Sequence, residues 1–213
     1  MIDYSVISAV EGIVEMEYKM NPQDIVGFYN FGSRVYGTST CKSDYDFVII
    51  FKSDKDESFL YESNDIDIHF YSTIAFEKLL QNHDVMALEI HFCVNPIIEY
   101  VTYLELDLVK LRSSISGKSS NSLIKAFKKI TLDEEDSYIG IKSLFHSLRV
   151  MEYGIQIANN FRIIDSQASN KYWKDIMKRL ESEDLIDIYE FYKLEHKKLK
   201  KEFKGVTNAL KNK

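Results

Sequence analysis

The stretch NFGSRVYGTSTCKSDYDFVII, from Asn30 to Ile50, decides how this chain is read. It closes a β-rich run, turns at Gly32-Ser33, crosses a polar loop and sets Asp44 and Asp46 one residue apart before an almost wholly apolar run to Phe51. In an extended strand, residues i and i+2 point the same way, so both carboxylates leave one strand end together. Carboxylates a few ångströms apart in a partly dehydrated place repel strongly. A cation between them removes the conflict, and carboxylate oxygens with room for waters and phosphate oxygens describe a magnesium site. Gly32-Ser33 follows a strand and should open a short helix. Glycine lets a phosphate approach the backbone, and the free amides of a helix start favour an anion. The Ser33 hydroxyl can donate to a phosphate oxygen, and Arg34 adds charge.

Two neighbouring runs extend this frame. Ile25 to Phe31 reads as a strand, and Asp46 to Phe51 as a second one buried on both faces. Lys52 to Asn64 is polar and predicts a loop or hairpin connection. Asp65 to Tyr71 alternates, with Asp65, Asp67, His69 and Tyr71 on one face and Ile66, Ile68 and Phe70 on the other. If that strand lies beside the first, Asp67 supplies a third oxygen ligand; Asp65 shares its face and competes for the role. A triphosphate held at Gly32-Ser33 and metal at Asp44, Asp46 and Asp67 suit in-line attack on an α-phosphate with loss of pyrophosphate.

Elsewhere the pattern is helical. Ile2, Val6, Ala9, Val10, Ile13 and Val14 predict a first helix, ended before Asn21-Pro22. Ser72 and Asp84 are expected to cap two short helices. Ser113 to Ser122, SSISGKSSNS, is the most linker-like stretch. Beyond it, Ser137 to Asn159 predicts a long helix whose apolar face carries Ile141, Leu144, Phe145, Leu148, Met151 and Ile155. Lys142, His146, Arg149 and Tyr153 form a stripe opposite that face, which is either a solvated helix face or a wall that binds phosphates or a base. Two last helices should cover Tyr172 to Leu180 and Leu185 to Phe203. Glu89, among apolar neighbours, is expected either to orient Arg34 or Arg149 or to form a structural ion pair. His69 reads as a polar-face residue, and Trp173 and Tyr189 to Tyr192 as core. The chain has no internal repeat. It divides into a catalytic unit over 1–112 and a helical unit over 113–213.

Composition sets outer limits. An apolar content of 45% in 213 residues supports a real core, and two prolines with eight glycines exclude fibrous and disordered classes. No apolar run approaches the roughly 18 residues of a membrane helix. Asp3, Glu11 and Glu15 do not suit a secretory signal, so a cytoplasmic location is expected. Cys41 and Cys93 read as two reduced thiols. The net charge is −6, yet eight lysines and two glutamates from Lys193 to Lys213 leave that end at +6 and the rest at −12. A basic end on an acidic body is either a solvated helix face or a nucleic-acid handle.

Gly32-Ser33 followed eleven residues later by Asp44-x-Asp46 resembles the signature of the polymerase-β-like nucleotidyltransferases. Gly32-Ser33-Arg34-Val35-Tyr36-Gly37 with Ser43-Asp44-Tyr45-Asp46 is similar to the first motif of the RlaP-like group of phages and bacteria, proposed to act in RNA repair. Blocks at Asp67 to Leu80, at Ala87-Leu88-Glu89 and at His146-x-x-Arg149 extend the resemblance from Gly27 to Trp173. The resemblance implies an α+β fold: a small mixed, palm-like sheet flanked by helices, followed by a C-terminal helical domain. It implies Asp44 and Asp46 as ligands of two Mg2+ ions, for which Mn2+ can substitute, and Asp67 as ligand of the catalytic ion. It implies Gly32 and Ser33 as holders of the β- and γ-phosphates of an NTP, with ATP expected. Arg34, Lys142, His146 and Arg149 complete the expected nucleotide contacts. It implies transfer of a nucleoside monophosphate to a hydroxyl, with RNA as acceptor. The helix after Asp67 departs from the group in having a single lysine, Lys78, which leaves room for a protein or small-molecule acceptor. A non-catalytic nucleotide-binding module is the third reading. Oligomeric state is not readable.

Overall fold

The computed structural model describes residues 4–211 except 64, 94 and 133–135. Ile2 of the expected first helix, Asp3, Asn64 and Lys213 therefore lie outside the described residues. Four strands, β1 (Ile25–Phe31), β2 (Tyr45–Phe51), β3 (Ser58–Glu62) and β4 (Ile66–Ser72), form one sheet in the order β1-β2-β4-β3. β1 runs antiparallel to β2, β2 parallel to β4, and β3 antiparallel to β4. The expected connection from Lys52 is thus a hairpin that adds an edge strand. β3 alternates exposed and half-buried residues, as an edge strand does.

The double burial expected for β2 sets the layers. Phe47, Ile49 and Phe51 face one way and pack with Val10 and Val14 of helix α1 (Tyr4–Met16). Val48 and Ile50 face the other way and join the larger core built by helices. Those helices are α3 (Thr73–Gln81), α4 (Val85–His91), α5 (Leu108–Thr131), α6 (Ser137–Asn160), α7 (Asn170–Arg179) and α8 (Leu185–Lys211). A short helix, α2 (Gly32–Tyr36), joins β1 to the loop before β2. Ser72 caps α3 by accepting from the Ala75 amide, and Asp84 caps α4 by accepting from Met86 and Ala87.

The stretch from Ser113 to Ser122 is not irregular: it lies inside α5. Leu111, Ile115, Ser119, Ser122, Ala126 and Ile130 are its buried face, at helical spacing. The serines read as linker because they are small and polar. At a helix interface small size allows close approach, and the hydroxyl needs only one backbone acceptor. Ser119 Oγ donates to the Ser147 carbonyl at 2.7 Å and lies 2.6 Å from His196 Nε2. Glycines on α6 do the same work from the other side. A Cβ on Gly154 would stand 2.6 Å from Ile115 Cγ2, and one on Gly140 2.8 Å from Ile130 Cγ1.

α6 follows its expected span, but the stripe opposite its apolar face is not uniformly solvated. Lys142 is exposed and His146 half-buried, whereas Arg149 and Tyr153 are buried. α2 and α4 cover that part of the helix, so its middle is enclosed on both sides. α8 runs past Phe203 to Lys211, with Thr207 buried. Two of its lysines are engaged along the helix, Lys193 with Glu190 and Lys198 with Glu195, as on a solvated face. No helix among the described residues is long and apolar enough to cross a membrane. Cys41 and Cys93 are both free thiols.

Candidate active site at the mouth of the central strands

The parallel ladder places the acidic residues. Asp46 is the register partner of Asp67, and on its other side of Phe31, the residue before Gly32. Asp65 lies beyond the ladder and is exposed; its carbonyl accepts from the Tyr45 amide at 2.8 Å. The register therefore sets Asp67, not Asp65, opposite Asp46. Asp46 shares the face of Val48 and Ile50, so the carboxylates look toward the helical layer.

Gly32 shows how closely the Gly32-Ser33 turn and the acid are joined. Its φ is +71°, and a Cβ there would fall 1.8 Å from Asp46 Oδ2. Only a residue without a side chain can occupy that place and that backbone conformation. The next amide, Ser33 N–H, donates to the Asp46 carboxylate.

The electrostatics follow from crowding. Burial, then the charges of Asp44 and Asp67, push Asp46 up from 3.8 to about 6, against the pull of Lys142 and the Ser33 amide. Burial, then Asp44 and Glu62, also raise Asp67, while Ser63 and His69 oppose the rise. Among the described residues no lysine or arginine forms an ion pair with Asp44, Asp46 or Asp67. Nor do three acidic, His or Cys groups already close around a common point. The donor set still fits a hard divalent cation: Asp44 and Asp67 raise the proton affinity of Asp46, and a cation relieves that conflict.

Arg34 holds the loop. Its Nε donates to the Asp44 carbonyl at 3.1 Å, a second nitrogen donates to the Ser43 carbonyl, and the guanidinium lies 3.7 Å from the centre of the Tyr45 ring. Its donors are thus directed to the backbone that carries Asp44.

On the helical side, Arg149 Nη1 pairs with Glu89 Oε2 at 3.1 Å; the two side chains are 3% and 7% exposed. The guanidinium lies 3.3 Å from the Tyr36 ring centre, and Tyr36 donates its hydroxyl to the same Glu89 oxygen at 2.6 Å. Burial alone would lower Arg149, but Glu89, Tyr36 and Tyr153 outweigh it and hold it charged. Removing one member of such a buried pair costs about 3–5 kcal/mol. Of the two partners foreseen for Glu89, the structure chooses Arg149.

Arg149 Nη2 donates to His146 Nδ1 at 2.8 Å, which leaves the imidazole proton on Nε2. Burial, then Arg149, Lys118 and Lys125, hold His146 well below its ordinary range, so it is neutral. Lys118 lies within the linker-like stretch Ser113 to Ser122 and Lys125 just past it, and neither is among the expected site residues. Their seven-residue spacing, two helical turns on one face, was the available signal. His69 lies on the Asp67 face and stacks on Tyr71.

Behind α2 is a cavity of about 550 Å3, whose walls include Arg34, Tyr36, Tyr45, Glu89, Tyr153 and Gln167.

Residues 10–134 match the nucleotidyltransferase domain family, and that span contains Gly32, Ser33, Asp44, Asp46 and Asp67. No curated protein matches the chain. Two solved structures are similar at 13% identity. One is a nucleotidyltransferase-like protein from Exiguobacterium sibiricum 255-15, covering 92% of this chain and 74% of that one with a TM-score of 0.37. The other is spectinomycin adenyltransferase AAD(9) from Enterococcus faecialis, solved with ATP and spectinomycin, covering 99% of this chain and all of that one with a TM-score of 0.45.

Proposed function

Because this chain belongs to the nucleotidyltransferase domain family, we propose that its Asp44, Asp46 and Asp67 act in moving a nucleoside monophosphate from an NTP, ATP first among candidates, to a hydroxyl of RNA. The observation that carries the site is the register that seats Asp46 between Asp67 and the Gly32-Ser33 turn. Asp44, Asp46 and Asp67 would hold Mg2+, which when bound neutralises phosphate charge and lowers the pKa of an attacking hydroxyl. Gly32 and Ser33 receive the outer phosphates. The Ser33 amide donates to Asp46 and is shared with, or released to, a phosphate oxygen as carboxylate charge is neutralised. Lys142, facing Asp46, adds positive charge at the triphosphate, and Lys118 and Lys125 beside neutral His146 extend that positive wall along α5. Asp67, opposite Asp46 across the parallel ladder, would lie beside the ion and help deprotonate the acceptor hydroxyl.

The exposed lysines of α5 and α6 favour a polyanionic acceptor and support the RNA-repair branch of the family. One observation favours a second reading. The cavity behind α2 has the volume of a small-molecule site, which suits transfer to a small hydroxyl compound. Incubation with α-labelled NTP, Mg2+, total RNA and a hydroxyl-bearing small-molecule panel tests both. Label in RNA, lost in Asp44→Ala with Asp46→Ala, supports the first; label only in a small molecule supports the second. No labelled acceptor and no pyrophosphate from the wild type would leave a nucleotide-binding module.

A further inference from the structure

Arg149 stands where a nucleotide contact is expected, yet its guanidinium is already engaged. One terminal nitrogen pairs with Glu89, the other donates to His146, and one face lies on Tyr36. Its remaining Nε is buried without a hydrogen-bond partner, closed off rather than turned to the cleft. Tyr36 is fixed twice, by stacking on Arg149 and through its hydroxyl on Glu89. It is also the last residue of α2, a helix of only five residues that begins with Gly32 and Ser33. So short a helix has almost no stability of its own, and its direction is set by tertiary contacts. At its far end Tyr36 meets the Phe31 ring edge-on, and its polar contacts there are those with Arg149 and Glu89. At its near end, Ser33 meets Asp46 and Gly32 lies against that same carboxylate.

We propose that Arg149 is a positioning residue: together with Glu89 it clamps Tyr36, and so aims the Gly32-Ser33 turn at the triphosphate without touching the nucleotide. The inference rests on the nucleotidyl-transfer reading. It ties the short helix α2 to the helical layer through one ion pair, since Tyr36 belongs to α2, Glu89 to α4 and Arg149 to α6. A shift of α6 is then transmitted to the Gly32-Ser33 turn through the stacked Tyr36 ring.

A double-mutant cycle decides the matter. Tyr36→Phe, Arg149→Lys and the double variant are compared for binding of a non-hydrolysable ATP analogue with Mg2+, by calorimetry. Amide exchange over 32–37 is measured in the nucleotide-free proteins. Loss of the Tyr36 hydroxyl is expected to weaken analogue binding about tenfold, the equivalent of one hydrogen bond to a charged partner. The double variant should be no weaker than the poorer single one, because both changes break the same clamp. Exchange over 32–37 should be faster in each. Tyr36→Phe leaving binding and exchange unchanged while Arg149→Lys weakens binding would overturn the proposal, as would additive effects. If Arg149→Lys does not fold, Glu89→Gln takes its place in the cycle with the same expectations. A wild type that binds no analogue contradicts the nucleotidyl-transfer reading, whereas the exchange data still judge the clamp separately.

Discussion

Asp46→Asn should make this protein more stable at pH 7.5 while removing its activity. The carboxyl of Asp46 is raised from 3.8 to about 6, by burial first and then by Asp44 and Asp67. At about 1.4 kcal/mol per pH unit, ionising it in the folded protein costs up to ~3 kcal/mol. Its partial exposure to solvent reduces this to roughly 1–2 kcal/mol. Asparagine is never charged and still offers an oxygen to the Ser33 amide. At this chain length the gain corresponds to a rise in Tm of about 2–8 °C. The pH dependence has a definite direction. Between 3.8 and about 6 the folded protein binds more protons at Asp46 than the unfolded chain, so wild-type stability falls as pH rises through that window. The advantage of Asp46→Asn is therefore complete above about pH 6 and gone below pH 4. Thermal unfolding followed by circular dichroism, in EDTA, at pH 4 and pH 7.5 measures it. A variant less stable than wild type at pH 7.5, or a gain as large at pH 4, would refute the electrostatic reasoning. Mg2+ should narrow the gap by binding only the folded wild type.

Gly32→Ala should lower transfer by about 100-fold or more, because a methyl group 1.8 Å from Asp46 Oδ2 must displace that carboxylate; unchanged pyrophosphate release would contradict this. Arg34→Lys loses the fork that holds the Ser43 and Asp44 carbonyls, so the Mg2+ concentration for half-maximal activity should rise about 10-fold, read from a metal titration at saturating NTP. Ser119→Ala leaves His196 Nε2 without its partner and should cost about 1–3 kcal/mol in urea unfolding, with activity per folded molecule unchanged.

The central frame was legible because its signals are local. Alternation around Asp67, the apolar run after Asp46 and the glycine before Ser33 each report a strand or a turn within a few residues, and β1 spans the predicted Ile25 to Phe31. The caps at Ser72 and Asp84 were legible for the same reason. α5 was not. Its interface uses Ser119 and Ser122 where most helices use leucine, and a serine-rich run carries the composition of a linker unless its hydroxyl partners on other helices are known. Arg149 was found but placed on a polar face. What buries it is Tyr36 and Glu89, more than fifty residues away in sequence, and no pattern within α6 reports them. The residue set around the aspartates thus came from short-range order, whereas the environment of the helical stripe is a product of tertiary packing.

The parallel pairing of Asp46 with Asp67 has one more consequence. Side chains on a strand alternate, so sliding β4 by a single residue against β2 would turn Asp67 away from its partner and into the layer where Phe47, Ile49 and Phe70 meet α1. The acidic group can be relocated along these strands only in steps of two. An insertion or deletion of one residue in the 52–65 connection must be absorbed in the hairpin, since any slip that reached β4 would place a carboxylate in oil.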